Sequence, residues 1–305
     1  MMRHGRRKFI AAFLGPPLLL YGVFVLNPYA QAFYLSLTDW GGYSDKAEFV
    51  GLDNFRKLFS DQHFWAALRN NAVMLAVIPA VTVAAALLIT GLLYFGGRRK
   101  GAGHTPVRGA GVYKILFFLP QVLAVSVVGV LWQFIYTPRS GLLNAVLDAL
   151  GLGSLKHEWL AEPGFALPAV MVVMIWSTLG FYIVLFGAAV QAIPSEVLEA
   201  AALDGASRPT TFFRIVLPMV WESVQVSFVA LGIMALDGFA FVQIMTIGPG
   251  GPGNSTEVLG LSLWNNSFKY GQFGYATAFG VVLFLLTMVM AVFTFKLSRR
   301  DSIER

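Results

Sequence analysis

Few residues in this chain could do chemistry. Two carboxylates, Glu222 and Asp237, stand inside an otherwise apolar run from Met219 to Ile247. The four histidines, His4, His63, His104 and His157, fall in termini or loops far apart in sequence, so they form no metal-ligand pattern. Cysteine is absent, which removes disulfides, thiol nucleophiles and cysteine metal sites together. No G-x-x-x-x-G-K-S/T motif occurs, so the chain has no phosphate cradle of its own; GGRRKGAG (96–103) has the glycines but lacks the Lys-Ser/Thr end. No nucleophile sits near a candidate base. The residue types suit recognition of a polar solute instead. Rings and amides that could meet such a solute are Trp132, Gln133, Trp176, Tyr182 and Gln243, with Asp237 the candidate carboxylate. The competing reading for the rings and amides is helix packing or an interfacial belt. For Asp237 it is a hydrogen bond to another helix or a wet boundary, because an unpaired carboxylate in hydrocarbon costs several kcal/mol.

The elements that must hold these residues are membrane helices. The 305 residues are 57% hydrophobic and 12% charged, against roughly a quarter charged in a soluble domain. Phe9–Thr38 has no charge for thirty residues, too long for the h-region of a signal peptide, about 7–15. It reads as a retained first span, about 9–34. Further spans are expected at 72–95, 115–136, 167–193, 219–247 and 273–295, each near the ~20 residues that cross a bilayer. The runs are continuous rather than alternating, so helices are expected and a barrel is not. Interior prolines (Pro16, Pro17, Pro28, Pro79 and Pro120) are expected to mark kinks.

Orientation follows from Lys and Arg. Fifteen of the 22 lie at the N-terminus (1–8), in the 96–114 and 194–218 loops and in the tail (296–305). The other seven are Lys46, Arg56, Lys57, Arg69, Arg139, Lys156 and Lys269. The first set is therefore expected in the cytoplasm, together with both termini. The net charge of +6 is a topology signal and gives no reason to expect nucleic acid.

One cytoplasmic segment, EAAALDGASRPTTFFRIVLP (199–218), interrupts the oily chain. Ser195 is placed to cap a short helix with Glu196 in its first turn, and Gly205 to close it in a left-handed conformation. A second helix is expected to start at Ser207 with Pro209 in its first turn and to break at Pro218. Such a pair suits either a groove in another protein or the lipid surface.

Glu199, Ala200, Ala201, Gly205, Ile215, Leu217 and Pro218 keep the spacing of a known signature, and on it the segment resembles the coupling loop of ABC importer permeases. NPYAQAFYLSLTDW (27–40), FVGLDNFRKLFSD (49–61), FWAALRNN (64–71), the 117–144 stretch and IGPGGPGNSTEVL (247–259) are similar to the carbohydrate branch of that family. The resemblance implies an all-α polytopic membrane protein with six transmembrane helices, the type I ABC importer permease core. It further implies a cell-membrane location and a second homologous permease. An ATPase dimer that uses ATP would dock on the seven residues above, an extracytoplasmic sugar-binding protein would deliver the sugar, and no cofactor would be bound by this chain. The GPGGPGN turn (248–254) would lie where the binding protein or sugar passes. The alternative is an autonomous secondary transporter or channel; those place several ionisable groups in the membrane, and this chain offers Asp237, with Glu222 near the boundary.

Overall fold

The computed structural model describes residues 2–43, 47–96, 107–246, 248 and 250–301. Lys46, Arg98, Arg99, Lys100, His104 and Arg305 lie outside the described residues, as does Ile247 at the end of the expected fifth span. Among the described residues the fold is all-α, with one isolated bridge between Thr38 and Phe49 and no strand. Helix is what hydrocarbon demands, because each backbone polar group must find its partner within the segment. Among the described residues four helices are long and apolar enough to cross a membrane: Ala12–Leu35, Gln62–Phe95, Pro163–Gln191 and Phe273–Val292. Two bent helix pairs bring the number to six when each pair is one span.

The chain divides into two compact units. The first comprises Met1–Trp65 and Ser262–Leu285. Its opening helix, Met2–Tyr21, contains Pro16 and Pro17 and passes through a π turn, Gly22–Leu26, into Asn27–Leu35. The π turn sits just before Pro28, which has no N–H to donate. Widening the turn lets Asn27 reach the Gly22 carbonyl, and the helix continues past the proline. Asn54 then ties down the chain after this helix by donating to the Ser36 and Thr38 carbonyls at 2.9 and 2.7 Å. Phe64 is buried among Phe59, Trp65 and Phe279.

The second unit comprises Ala66–Leu261 and Leu286–Arg305. Its core is built on Met74, Ile78, Val170, Met174, Ile183, Phe186, Leu231 and Met245, all fully buried. Glycines set how closely its helices approach. A Cβ on Gly180 would meet the Phe118 Cα at 2.7 Å, and one on Gly129 would meet the Ile244 side chain at 2.6 Å. Small residues that let backbones touch are the usual means of helix association in lipid.

Three segments differ from expectation. The 115–136 stretch is two helices, Ala110–Val122 and Val125–Ile135, bent by 101°. The bend falls just past Pro120, at Leu123 and Ala124, both extended. The 219–247 stretch opens with a 69° bend at Val220 and is interrupted again at Asp237 and Gly238, between Trp221–Leu236 and Phe239–Met245. Pro218 does not break the chain. A π turn, Phe212–Val216, precedes it by the same offset as the one before Pro28, and Leu217 donates to the Phe212 carbonyl. The helix therefore runs through the proline and turns two residues later.

Candidate functional site

The interrupting segment forms two short helices joined at one left-handed residue. Ser195–Leu203 ends on Gly205 at φ +78°. Gly205 donates to the Ala202 carbonyl at 3.2 Å and Ala206 to the Ala201 carbonyl at 3.0 Å, the paired bonds of a Schellman closure. Ser207 caps the next helix by accepting from the Thr210 N–H at 3.3 Å, with Pro209 in its first turn. Ser195 makes no cap: it is the first helical residue, and Pro194 holds the extended cap position without a side-chain bond. Glu196 in the first turn still complements the positive helix end.

The signature residues divide by environment. Glu199, Ala200, Gly205 and Pro218 are exposed, Ile215 and Leu217 are half-buried, and Ala201 is buried with Ala202. The alanine face thus packs inward on the chain itself. The outward face presents Glu199, Ala200 and Leu203, the last 79% exposed. Ile215, Leu217 and Pro218 belong to the helix that leads back to the core and share no face with Glu199.

A polar node stands where this segment leaves the core. The Tyr94 hydroxyl accepts from Lys114 Nζ, which also lies 4.6 Å from the centre of its ring, and from Gln191 Nε2 at 2.7 Å. Gln191 also donates to the Gly187 carbonyl at 3.0 Å, and Gly187 leaves room for the phenol, since a Cβ there would stand 2.7 Å from its oxygen. One hydroxyl therefore joins three helices just before Pro194. Sequence reading missed this node, because its members are polar residues near helix ends that look like interfacial belt.

The candidate solute residues are not gathered into one cluster. Trp132 packs on Trp176 with ring centroids 5.3 Å apart and on Tyr136 at 5.1 Å; its buried indole N–H has no hydrogen-bond partner among the described residues. Gln133 points into the chain and donates to the Ile244 carbonyl at 2.6 Å, satisfying the end of Phe239–Met245. Tyr182 is buried against Phe181 and Phe186. Asp237 and Gln243 are exposed on this chain, Asp237 at the C-terminal end of Trp221–Leu236. The exposed carboxylate, amide and Trp176 edge remain available to a solute or another subunit, whereas Gln133 and Tyr182 serve internal packing. Glu222 lies exposed in the first turn of Trp221–Leu236, where the helix dipole favours a carboxylate.

Two asparagines from FWAALRNN hold the Asp237 break and the glycine-rich turn. Asn71 is fully buried; it donates to the Leu236 carbonyl at 3.1 Å and accepts from the Leu259 N–H at 2.8 Å. Asn70 donates to the Ser255 and Glu257 carbonyls at 3.1 and 2.8 Å. The turn they anchor has positive φ at Gly248, Gly250, Gly251, Gly253 and Asn254, which accounts for its glycines. Among the described residues no group of three His, Asp or Glu side chains could hold a metal ion.

Comparison with known proteins places this geometry. Residues 66–301 match the family model described as binding-protein-dependent transport system inner membrane component. The chain is 46% identical over 295 residues to the diacetylchitobiose uptake system permease protein NgcF of Streptomyces coelicolor, covering 96% of this chain and 83% of that one. It is 34% identical over 290 residues to the multiple sugar-binding transport system permease protein MsmF of Streptococcus mutans, covering 94% of each. Its fold matches, with a TM-score of 0.81 at 21% identity, a chain in the crystal structure of a bacterial ABC transporter that imports the acidic polysaccharide alginate, covering 97% of this chain and 96% of that one.

Proposed function

The chain belongs to the binding-protein-dependent transport system inner membrane components, and we propose that it is the permease subunit of an ATP-driven sugar importer. It forms half of the translocation pathway, and a second homologous permease forms the other half. Two ATPase subunits bind and hydrolyse ATP, and an extracytoplasmic binding protein delivers the sugar. The chain itself catalyses no reaction and holds no cofactor. Both termini and the segment 194–218 face the cytoplasm.

One observation carries the reading: the outward face of Ser195–Leu203, with an exposed leucine beside Glu199 and Ala200, is backed by buried alanines and closed at Gly205. An exposed large apolar side chain on a rigid helix suits a partner's groove. Closure of the ATPases then moves this helix as a body, and the Tyr94 node passes the movement to three spans. Similarity to a permease named for diacetylchitobiose uptake makes an N-acetylated disaccharide the first sugar to test.

The test is reconstitution with the candidate partner permease, ATPase and binding protein. ATP-dependent sugar uptake that needs all four is the expected result; uptake by this chain alone would favour the secondary-transporter reading instead. Orientation is checked with a single cysteine at Ser302, since the native chain has none. Its labelling by an impermeant reagent in intact cells would reverse the topology.

A further inference from the structure

A cavity of about 710 Å³ lies between the long helix Gln62–Phe95 and the segment that returns from Gly205 to the core. Leu88, Gly91 and Leu92 form one wall and Phe212 and Phe213 the other. Gly91 allows the Phe212 ring to lie against the helix, since a Cβ there would stand 3.2 Å from it. Among the described residues the lining has one charged side chain, Arg208, at the Gly96 end, where its guanidinium donates to the Gly96 carbonyl at 3.4 Å. Leu88, Leu92 and Phe213 remain some 60% exposed, so the cleft is open to its surroundings.

We propose that this cleft is a lipid site, occupied by an acyl chain of an anionic phospholipid whose phosphate lies against Arg208. The inference rests on the cytoplasmic placement of segment 194–218, which sets the cleft at the level of the inner leaflet. Its chemistry calls for an amphiphile: a tail with no hydrogen-bonding groups fits the leucine and phenylalanine walls, and a negative head fits the Arg208 guanidinium. Arginine forms paired, charge-assisted bonds to phosphate and gives up hydration more readily than lysine. Among the described residues no carboxylate lines the cleft to oppose an anion. Because Phe212 and Phe213 are also part of the return from the coupling helix, an acyl chain between them and Leu88 would brace that return against the long helix.

The full chain, purified in mild detergent, is incubated with phosphatidylglycerol or with phosphatidylcholine, and retained lipid is counted by native mass spectrometry. Phosphatidylglycerol is expected to be preferred about fivefold, the factor for one basic residue near an anionic surface. Arg208→Gln, at an exposed position, should abolish the preference while leaving some retention of both lipids. Leu92→Trp should fill the cleft and lower retention of both; if it does not fold, a photoreactive residue at Leu88 gives the same information by crosslinking to lipid. Equal retention of the two lipids by the wild-type chain overturns the proposal. Crosslinking from Leu88 in the assembled transporter to the partner permease, the ATPase or a second copy, and not to lipid, overturns it in favour of a protein occupant. Free inorganic phosphate competing away phosphatidylglycerol without apolar dependence would reduce the site to a bare anion contact and overturn the acyl-chain assignment. None of these measurements uses sugar uptake, so failure here and failure of the transport reading are separable.

Discussion

Removing Asn71 should damage this protein more than removing its neighbour Asn70. The Asn71 carboxamide serves two helix ends at once. It donates to Leu236, the last residue of Trp221–Leu236, and accepts from Leu259, the first residue of Leu259–Trp264. Terminal carbonyls and N–H groups have no partner within their own helix. Asn71→Ala would orphan one of each in a fully buried place. Each orphaned group costs about 1–3 kcal/mol, while interhelical bonds in membrane proteins average about 0.6 kcal/mol because the unfolded chain also finds partners. Together these place the loss at roughly 2–4 kcal/mol. Asn70→Ala is the internal control: Asn70 is half-buried, so water can replace its bonds, and about 1 kcal/mol or less is expected. Denaturant- or detergent-titrated unfolding of the purified chain, followed by tryptophan fluorescence, measures both. A loss below about 0.5 kcal/mol for Asn71→Ala, or a larger loss for Asn70→Ala, would refute the double-cap reasoning.

Gly205→Val should let the chain insert while weakening ATPase docking and binding-protein-stimulated hydrolysis; the space around Gly205 is open, so the penalty is the left-handed backbone at φ +78°, about 1–2 kcal/mol or more for a β-branched residue. Wild-type co-purification and stimulation would show that this bend is not the joint. Gly180→Ala should cost about 1–3 kcal/mol or more in thermal stability, because its methyl would meet backbone at Phe118 instead of a yielding side chain. Asp237→Leu should lower sugar uptake at normal abundance or weaken pairing with the second permease; unchanged uptake and assembly would leave Asp237 at a wet boundary with neither role. Glu162, in the segment before Pro163–Gln191, accepts from the Glu158 N–H at 2.8 Å and lies 3.2 Å from His157, and the backbone bond first, then the histidine, holds its carboxyl below the ordinary value. A depressed carboxyl stabilises above its unfolded pKa and loses that contribution as pH falls through the folded one. The difference in melting temperature between wild type and Glu162→Gln should therefore be present at neutral pH and vanish in acid; a pH-independent difference would contradict it.

Much of this was legible in the sequence because it depends on the medium or on near neighbours. Hydropathy reports transfer into hydrocarbon, so the apolar runs and the helical class follow from composition alone. Gly205, Ser207 and Pro209 act within a turn or two of themselves, and the two short helices and their left-handed joint were readable from that spacing. The sequence could not say that the prolines would be treated differently. Pro28 and Pro218 are carried through by π turns, whereas the chain bends by 101° just past Pro120, and only packing around each helix chooses between those outcomes. Nor could it say which polar residues turn inward. Gln133 and Gln243 are the same residue type in similarly oily surroundings, yet one satisfies a helix end 111 positions away and the other is exposed. Asn71 finds its partners 165 and 188 positions along the chain. Gly180 looks like any helical glycine until Phe118 is laid against it. Solubility in lipid is an average over a segment and is written in composition. A hydrogen bond or a backbone contact needs two particular groups within about 3 Å, and only the assembled tertiary structure decides which groups those are.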